Sequence, residues 1–551
     1  MSEADKCAAL VEEFTTEFFA ANPVSAAASG LHQYDGQVAD LSREGIERRL
    51  AYLHEFLQRA AAVDENQLDR LGRYDLGLVK FSAGQQIFQM ADMDAAATMP
   101  MIYNWQIGVS NYVKRNYAPL PERVAGLVQH LKAIPGVLDA ARANLKPALS
   151  RPVLTTALGM FGGQVHYLQG ELTEQVMAVN DKELMKQFDL ARDNAVMALK
   201  DFLTFLHRME KNVSDDFAIG RDRYQKLLWA YEMVDLPLDE VLAIGEADLA
   251  RNKARLLELA SLHFAGHDLR TVVAEMGREH TSSERLIEET RASLERIRQF
   301  LLDEQIVSVP SEVRALVEET PPYMRWAFAF MSSPGPFEQV ADQAFYYLTL
   351  PDPSWPPEKQ DEWLTKFDRY TLDDISVHET YPGHYVNFLH MKNAPSRASK
   401  VFRATTYVEG WAHYCEQMMI AEAGYGKAEF GVKLEIAQLL EALVRNVRYV
   451  NAINMHVNGL SVDEATSRFV ADAYMEEATG RAEAVRGTFD PGYFAYNLGK
   501  LMILKLRADY QQEQGDSYDR KGFHDRFLSF GSPPIKLLRP LVLAHDDGKL
   551  L

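Results

Sequence analysis

Apolar residues recur at three- and four-residue steps through most of this chain, and that period commits it to packed helices. In Glu122–Leu145, the residues Val124, Leu127, Val128, Leu131 and Ile134 form such a stripe, one helix face turned toward a core. The same period runs through Asp181–Met209, Leu238–Leu259, Ser283–Leu302, Lys433–Val457 and Tyr493–Tyr510. Strand signals are few: Ala344–Leu350 is the best, Ile306–Pro310 a weaker one. With 32 Gly and 23 Pro in 551 residues, long helices joined by short connections are expected. The expected fold is mainly α, with one or two short strands.

Composition changes between Val309 and Pro357, where prolines crowd and aromatics cluster at Tyr323–Phe330 and Phe345–Tyr347. This predicts an irregular stretch between two helical halves, 1–308 and 309–551. Nothing there resembles a flexible Ser/Gly linker, so one continuous domain over most of the chain also fits.

Charge and cysteine content narrow the function classes. Lys and Arg number 58 against 78 Asp and Glu, a net charge of −20, whereas nucleic-acid binders need clustered cations. No apolar run approaches the ~18 residues of a membrane span. The first residues include Glu3, Asp5, Glu12, Glu13 and Glu17, unlike a secretory signal. Cys7 and Cys415 are the only cysteines, too few for a disulfide framework. A cytoplasmic protein with neither nucleic acid nor membrane as partner is expected.

Phosphate-loop and serine-elbow motifs are absent, and Gly159, Gly162 and Gly163 lack dinucleotide spacing. His263 and His267 are four apart, but Phe264 stands where a zinc peptidase has Glu, and Gly266 weakens the helix. They read as ordinary surface or core histidines.

The informative segment is His378-Glu379-Thr-Tyr-Pro382-Gly383-His384. Two His separated by six residues on an unbroken helix would point ~240° apart and lie ~9 Å apart along the axis, too far for one zinc with ~2.0–2.1 Å bonds. Pro382 obstructs the carbonyl of His378 and pushes Tyr381 out of the α region, while Gly383 admits an unusual dihedral. A widened turn is therefore expected to bring His384 back beside His378. Glu409, His413 and Glu416 fall at i, i+4 and i+7, on one helix face. Two His plus Glu409, with one position open, would make a catalytic zinc site, and Glu379 would accept a proton from water there. The alternative is a satisfied surface pair, with His413 and Glu416 solvated; from chemistry alone both readings stand.

These motifs, with Glu409-Gly410-Trp411-Ala412-x-Tyr414-x-Glu416, resemble the bacterial domain-of-unknown-function 885 (DUF885) family. Later segments are also similar: Arg445, Arg448 and His456 before Gly459-Leu460-Ser461, then Glu483-x-x-Arg486, Tyr496-x-Leu498-Gly499-Lys500 and Phe523-His524. Upstream, Asn116-Tyr117 and Leu131-x-x-Ile134-Pro135 match its N-terminal half. The resemblance implies a large helical fold similar to carboxypeptidase Taq and the thimet-type oligopeptidases of the gluzincin group, with a central cleft. It implies one Zn2+ per chain on His378, His384 and Glu409, with Glu379 as general base and Tyr496 or His456 stabilising an oxyanion. Tyr385 and Asn387 depart from the His or Gln often found after the second ligand.

Each remaining residue has a plainer reading. Tyr496 and Trp411 suit a core; Arg445, Arg448 and Arg486 suit ion pairs with neighbouring helices, or else a substrate carboxylate. Asp373 and Asp374 suit the negative charge favoured at a helix start. The expected activity is zinc-dependent hydrolysis of peptide or related amide bonds in short peptides. Strand Ala344–Leu350 would offer its edge to substrate backbone, and the acidic surface would favour basic or neutral peptides. The alternatives are a non-peptide ester or amide substrate, or a helical scaffold that binds peptides without turnover.

Overall fold

A computed structural model of the chain describes every residue except Met1, Pro322, Tyr323 and Trp326. Three members of the aromatic- and proline-rich stretch, Pro322, Tyr323 and Trp326, thus lie outside the described residues. The chain forms two compact units, one reaching to Ile219 and including Pro334–Asp342, the other made of Gly220–Ser333 and Gln343–Leu551. The boundary expected at 308/309 falls inside the second unit, since the irregular stretch packs into that unit except for Pro334–Asp342.

The first unit contains helices α1 (Glu3–Ala21), α2 (Arg43–Ala61), α3 (Arg70–Ile87), α4 (Leu120–Asn144), α5 (Arg151–Gln169) and α6 (Lys182–Met209). The stripe on α4 is buried as its period predicts: Val124, Leu127, Val128, Leu131 and Ile134 all face inward. On α6 the buried set is Phe188, Ala191, Ala195, Val196, Leu199, Phe202, Leu206 and Met209. Asp181 starts that helix by accepting from the N–H groups of Glu183 and Leu184, each at 3.0 Å, a side-chain cap for otherwise orphaned donors. Phe202 meets Phe161 of α5 edge-on, with ring centroids 4.8 Å apart.

The second unit is helical around one small sheet. Its elements include α7 (Arg221–Glu232), α8 (Leu238–His263), α9 (Ser283–Asp303), β1 (Leu316–Glu319), β2 (Ala329–Ser332) and β3 (Phe345–Leu348). There follow α10 (Arg369–Glu379), α11 (His384–Met391), α12 (Thr405–Gln417), α13 (Ala428–Val457), α14 (Glu477–Phe489), α15 (Ala495–Gln514) and α16 (Arg520–Leu528). The fold is mainly α, as expected.

Two strand expectations need correction. The segment expected over Ala344–Leu350 is β3, but it is the central strand of the order β1-β3-β2. Parallel β1 pairs Leu316 with Phe345, and antiparallel β2 pairs Ser332 with Phe345. With both edges already paired, β3 cannot receive a substrate strand; β1 and β2 are the edges. Ile306–Pro310 forms no strand. Its backbone groups bond side chains instead: Ser308 N–H donates to Asp525 at 2.7 Å, and the carbonyls of Ser308 and Ile306 take His390 and His524 at 2.8 and 2.7 Å.

Candidate metal centre

Helix α10 is started by Asp368, which accepts from the N–H groups of Tyr370 (2.9 Å) and Thr371 (3.0 Å). Asp373 and Asp374, expected at the helix start, therefore stand a turn further in, each 1% exposed. Asp373 accepts from Tyr425 Oη at 2.9 Å and from Ser293. Burial and the nearby Glu416 push Asp374 well above the carboxylate range.

The expected widened turn is instead a break between helices. Helix α10 ends at Glu379 and α11 begins at His384, so the two histidines sit on different helices. The Tyr381–Pro382 bond is cis. At Gly383, with φ −64° and ψ −130°, a Cβ would lie 1.7 Å from the carbonyl oxygen of His378. Only glycine fits that approach. Trp411 of α12, fully buried, holds the turn by donating Nε1–H to the Pro382 carbonyl at 2.9 Å. The outcome is two imidazoles with centroids 4.8 Å apart and planes at 87°.

Glu409 faces both rings. Its Oε2 lies 3.7 Å from His378 Nε2 and 3.5 Å from His384 Nε2. Donor atoms around a tetrahedral zinc with ~2.0–2.1 Å bonds stand about 3.3–3.4 Å apart, so the residues present fit such an ion with little adjustment. Glu379 also offers an oxygen within 4.8 Å of both imidazoles, which makes two carboxylates available. Their settings differ: Glu379 Oε2 accepts from Met331 N–H of β2 at 2.8 Å, whereas Glu409 Oε2 stands between the two Nε2 atoms. Burial alone would lower His378, but Glu409 and Glu416 on either side push it up to about 10. Glu409, which burial would raise, is held well down by His384 and His378. The cluster is thus arranged to hold positive charge.

His413 and Glu416 are not solvated; both are fully buried. Glu416 Oε1 accepts from His378 Nδ1 at 2.6 Å and Oε2 from His413 Nδ1 at 2.9 Å. A carboxylate on Nδ1 fixes the tautomer of the neutral ring, whose lone pair is then on Nε2. Burial and then the Lys500 ammonium pull His413 down to about 3; it is neutral. Arg445 reaches Glu416 at 3.3 Å and Glu441 at 3.0 Å. Arg448 grips Glu483 of α14 through two bonds of 2.7 Å, and Arg486 pairs with Asp490 at 2.9 Å. All three arginines thus have carboxylate partners.

Tyr496 lies beneath two of them, 5.9 Å from Arg445 and 5.4 Å from Arg448 measured to its ring. Glu409, and then burial, push its phenol up, so it stays a neutral donor. The cluster is formed without His456. That residue is 1% exposed, its Nε2 bonded to the Gly487 carbonyl at 2.8 Å. His263 and His267 form no such cluster: His263 is the last residue of α8 and His267 lies 3.8 Å from Glu275.

Sequence reasoning missed three supporting groups. Met331 donates through its backbone, which leaves no trace in residue type. Glu232 of α7 accepts from Thr406 N–H at 3.2 Å and from the Thr406 hydroxyl, capping α12 where Ala404 cannot. Lys500 is fully buried on α15, off the centre of that helix's apolar stripe, where a lysine reads as solvated.

Comparison with known proteins bears on the whole chain. The model of a family described as "Bacterial protein of unknown function (DUF885)" matches residues 23–542. A search of curated proteins finds no match. Among solved structures, "a putative lipoprotein of unknown function" from Shewanella oneidensis superposes with a TM-score of 0.82 at 22% identity, over 97% of this chain and 99% of that one. A second, "the putative lipoprotein from Colwellia psychrerythraea", gives 0.80 at 17%, over 98% and 99%. At these identities the likeness is one of fold.

Proposed function

The chain belongs to the DUF885 family, and from that premise we propose that it is a zinc-dependent hydrolase of peptide or related amide bonds. The observation that carries this reading is Glu409 Oε2 at 3.7 and 3.5 Å from two Nε2 atoms, with a further carboxylate, Glu379, in reach of the same cluster. A bound zinc would supply a water of lowered pKa and polarise the scissile carbonyl. His378, His384 and Glu409 would hold it. Glu379 is oriented through Oε2 by Met331 N–H, which leaves Oε1 to take a proton from water and pass it to the departing amine. Tyr496 is the side chain we assign to hydrogen-bond the developing oxyanion; His456 is committed to Gly487. Met331 N–H points away from β3 toward Glu379, so the strand edge beside the site is that of β2.

Substrates of this reading are short and extended. His384 is 12% and Glu409 23% exposed at the side chain, so a carbonyl reaches them only as part of a narrow segment. No helix among the described residues is long and apolar enough to cross a membrane. The two solved structures named above carry lipoprotein descriptions, so the reading is of a hydrolase without an assigned compartment.

The test is elemental analysis of the parent and His384→Ala, with turnover of a peptide-length series before and after chelation. About one zinc per parent chain is expected, with most of the affinity lost in the variant. Cleavage is expected for unstructured peptides of under about 20 residues, with little action on folded proteins. Full zinc in His384→Ala removes that residue from the ligand set. Silence across all peptides with zinc bound assigns the site to a non-peptide ester or amide.

A further inference from the structure

Behind the histidine cluster lies a second group of buried polar side chains that hydrolysis does not use. His413 and Glu416 on α12, Asn497 and Lys500 on α15, and Asp248 on α8 are each at most 2% exposed. At one end, Glu416 joins His378 to His413. At the other, Lys500 Nζ lies 3.5 Å from Asp248 Oδ2. That oxygen also accepts from Asn446 Nδ2 at 2.7 Å, and Asp248 Oδ1 pairs with the exposed Arg251. Between the two ends the bonds stop: His413 Nε2, Lys500 Nζ and both amide atoms of Asn497 have no hydrogen-bond partner. His413 and Lys500 sit on α12 and α15, whose backbones touch at Gly410 and Gly499, and the Lys500 charge acts to lower the His413 imidazole.

Neither helix can shift to close the line. At Gly499 a Cβ would lie 1.9 Å from the Thr406 carbonyl oxygen, and at Gly410 it would lie 2.5 Å from Gly499. The backbones of α12 and α15 are already in contact there. Lys500 follows Gly499 directly, and His413 comes one turn after Gly410, so their separation is set by the backbone.

Donor and acceptor types decide what completes the line. His413 gives its Nδ1–H to Glu416 and keeps a lone pair on Nε2; Lys500 has N–H groups to spare. Buried waters typically make about three hydrogen bonds to such otherwise unsatisfied groups. One water accepting from Lys500 Nζ and donating to His413 Nε2 and Asn497 Oδ1 would satisfy three of these four atoms, with Asn497 Nδ2 the fourth. We propose that Lys500 is a positioning residue for His378, acting through this bridging water and the His413–Glu416 pair to fix the Nδ1–H tautomer and ring angle that turn Nε2 toward Glu409. The inference rests on the reading of His378 as a metal ligand. No proton moves along the line; its work is orientation, the role outer partners play for ligating imidazoles.

The test is zinc affinity of the full chain, by competition with a chromophoric chelator, together with the visible spectrum of the cobalt-loaded protein. Lys500→Met is expected to weaken zinc binding by about 10–100-fold and to shift the cobalt bands. Lys500→Arg, which keeps the charge and the donors, is expected to recover most of the affinity. Because Lys500→Met strips Asp248 of one cation, Asp248→Asn/Lys500→Met is measured beside it. The same loss is expected there, with the metal-free protein melting close to the parent. Affinity within twofold of the parent in both variants, with an unchanged spectrum, overturns the positioning role and leaves the metal reading standing. A parent that binds no zinc overturns the metal reading, and this inference falls with it.

Discussion

The helices of the first unit and those behind the histidine cluster bury their inner faces in opposite ways. Helix α6 turns inward a stripe of Phe188, Ala191, Ala195, Val196, Leu199, Phe202 and Leu206. Helices α12 and α15 bury His413, Glu416, Asn497 and Lys500 to the same depth. In the apolar stripe, stability comes from area and packing, and one side chain can stand in for another of similar volume. In the polar face His413 depends on Glu416 and Lys500 on Asp248, and removing one partner strands the other. A chain that accepts the second arrangement gains placement of specific atoms rather than stability, and the histidine cluster lies on that side.

Four measurements sharpen or break this contrast. The largest effect is expected from Glu379→Gln, which keeps its size and the bond from Met331 but cannot take a proton. Turnover should fall by roughly 10²–10⁴-fold with zinc and melting temperature unchanged; activity within a few-fold of the parent would remove Glu379 from the base role. On the apolar side, Phe202→Ala should cost about 3–5 kcal/mol in denaturant unfolding through lost burial and a cavity against Phe161, with metal affinity unchanged. A fall in metal affinity equal to that at the cluster would erase the distinction between the two regions.

The third measurement uses pH. Burial raises Glu232 from 4.5 to about 8, against the lowering effect of Thr406, so the folded state binds its proton more tightly than the unfolded one. Its contribution is full below pH 4.5 and is lost as pH rises through 8. At about 1.4 kcal/mol per pKa unit, the parent should lose on the order of 3 kcal/mol by pH 7 that Glu232→Gln, which does not titrate, retains. Melting curves of the pair should diverge upward from pH 5; parallel curves would show that Glu232 is ionised at neutral pH. The smallest effect is expected from Glu416→Gln. Its amide can still accept from one imidazole but not from both, and zinc affinity should drop about 10–100-fold while the fold persists. Unchanged affinity would mean that His378 is oriented by packing alone.

How much was legible in advance follows the same division. Apolar periodicity located α4 and α6 to within two residues at either end, because a stripe is a local signal. It located β3 but not its partners: in β1, only Val317 of Leu316–Glu319 is buried, so that strand shows little apolar signal. The His378–His384 spacing with Pro382-Gly383 implied a widened turn, where the structure has a full break between α10 and α11. That break depends on Gly383 passing the His378 carbonyl, a contact in space that no periodicity records. Asp373 and Asp374 were expected to begin α10 because Asp368, the actual cap, is not adjacent to the apolar run. Glu232 bonds Thr406 across 174 residues, and a lysine such as Lys500 ordinarily reads as solvated surface. Buried partnerships between polar residues on distant helices are the part that a single sequence carries least visibly.

The three residues assigned to the metal come from α10, α11 and α12, and the first two of these helices are separated by a break at Thr380–Gly383. An ion held by all three is therefore a clasp across a discontinuity in the chain, not an ornament on a finished scaffold. Its binding free energy is available to the folded state alone, so resistance to unfolding climbs with the logarithm of free metal. Under this reading the supply of zinc governs how long each molecule survives as well as how fast it works, and starvation for the ion would first loosen the short helix α11.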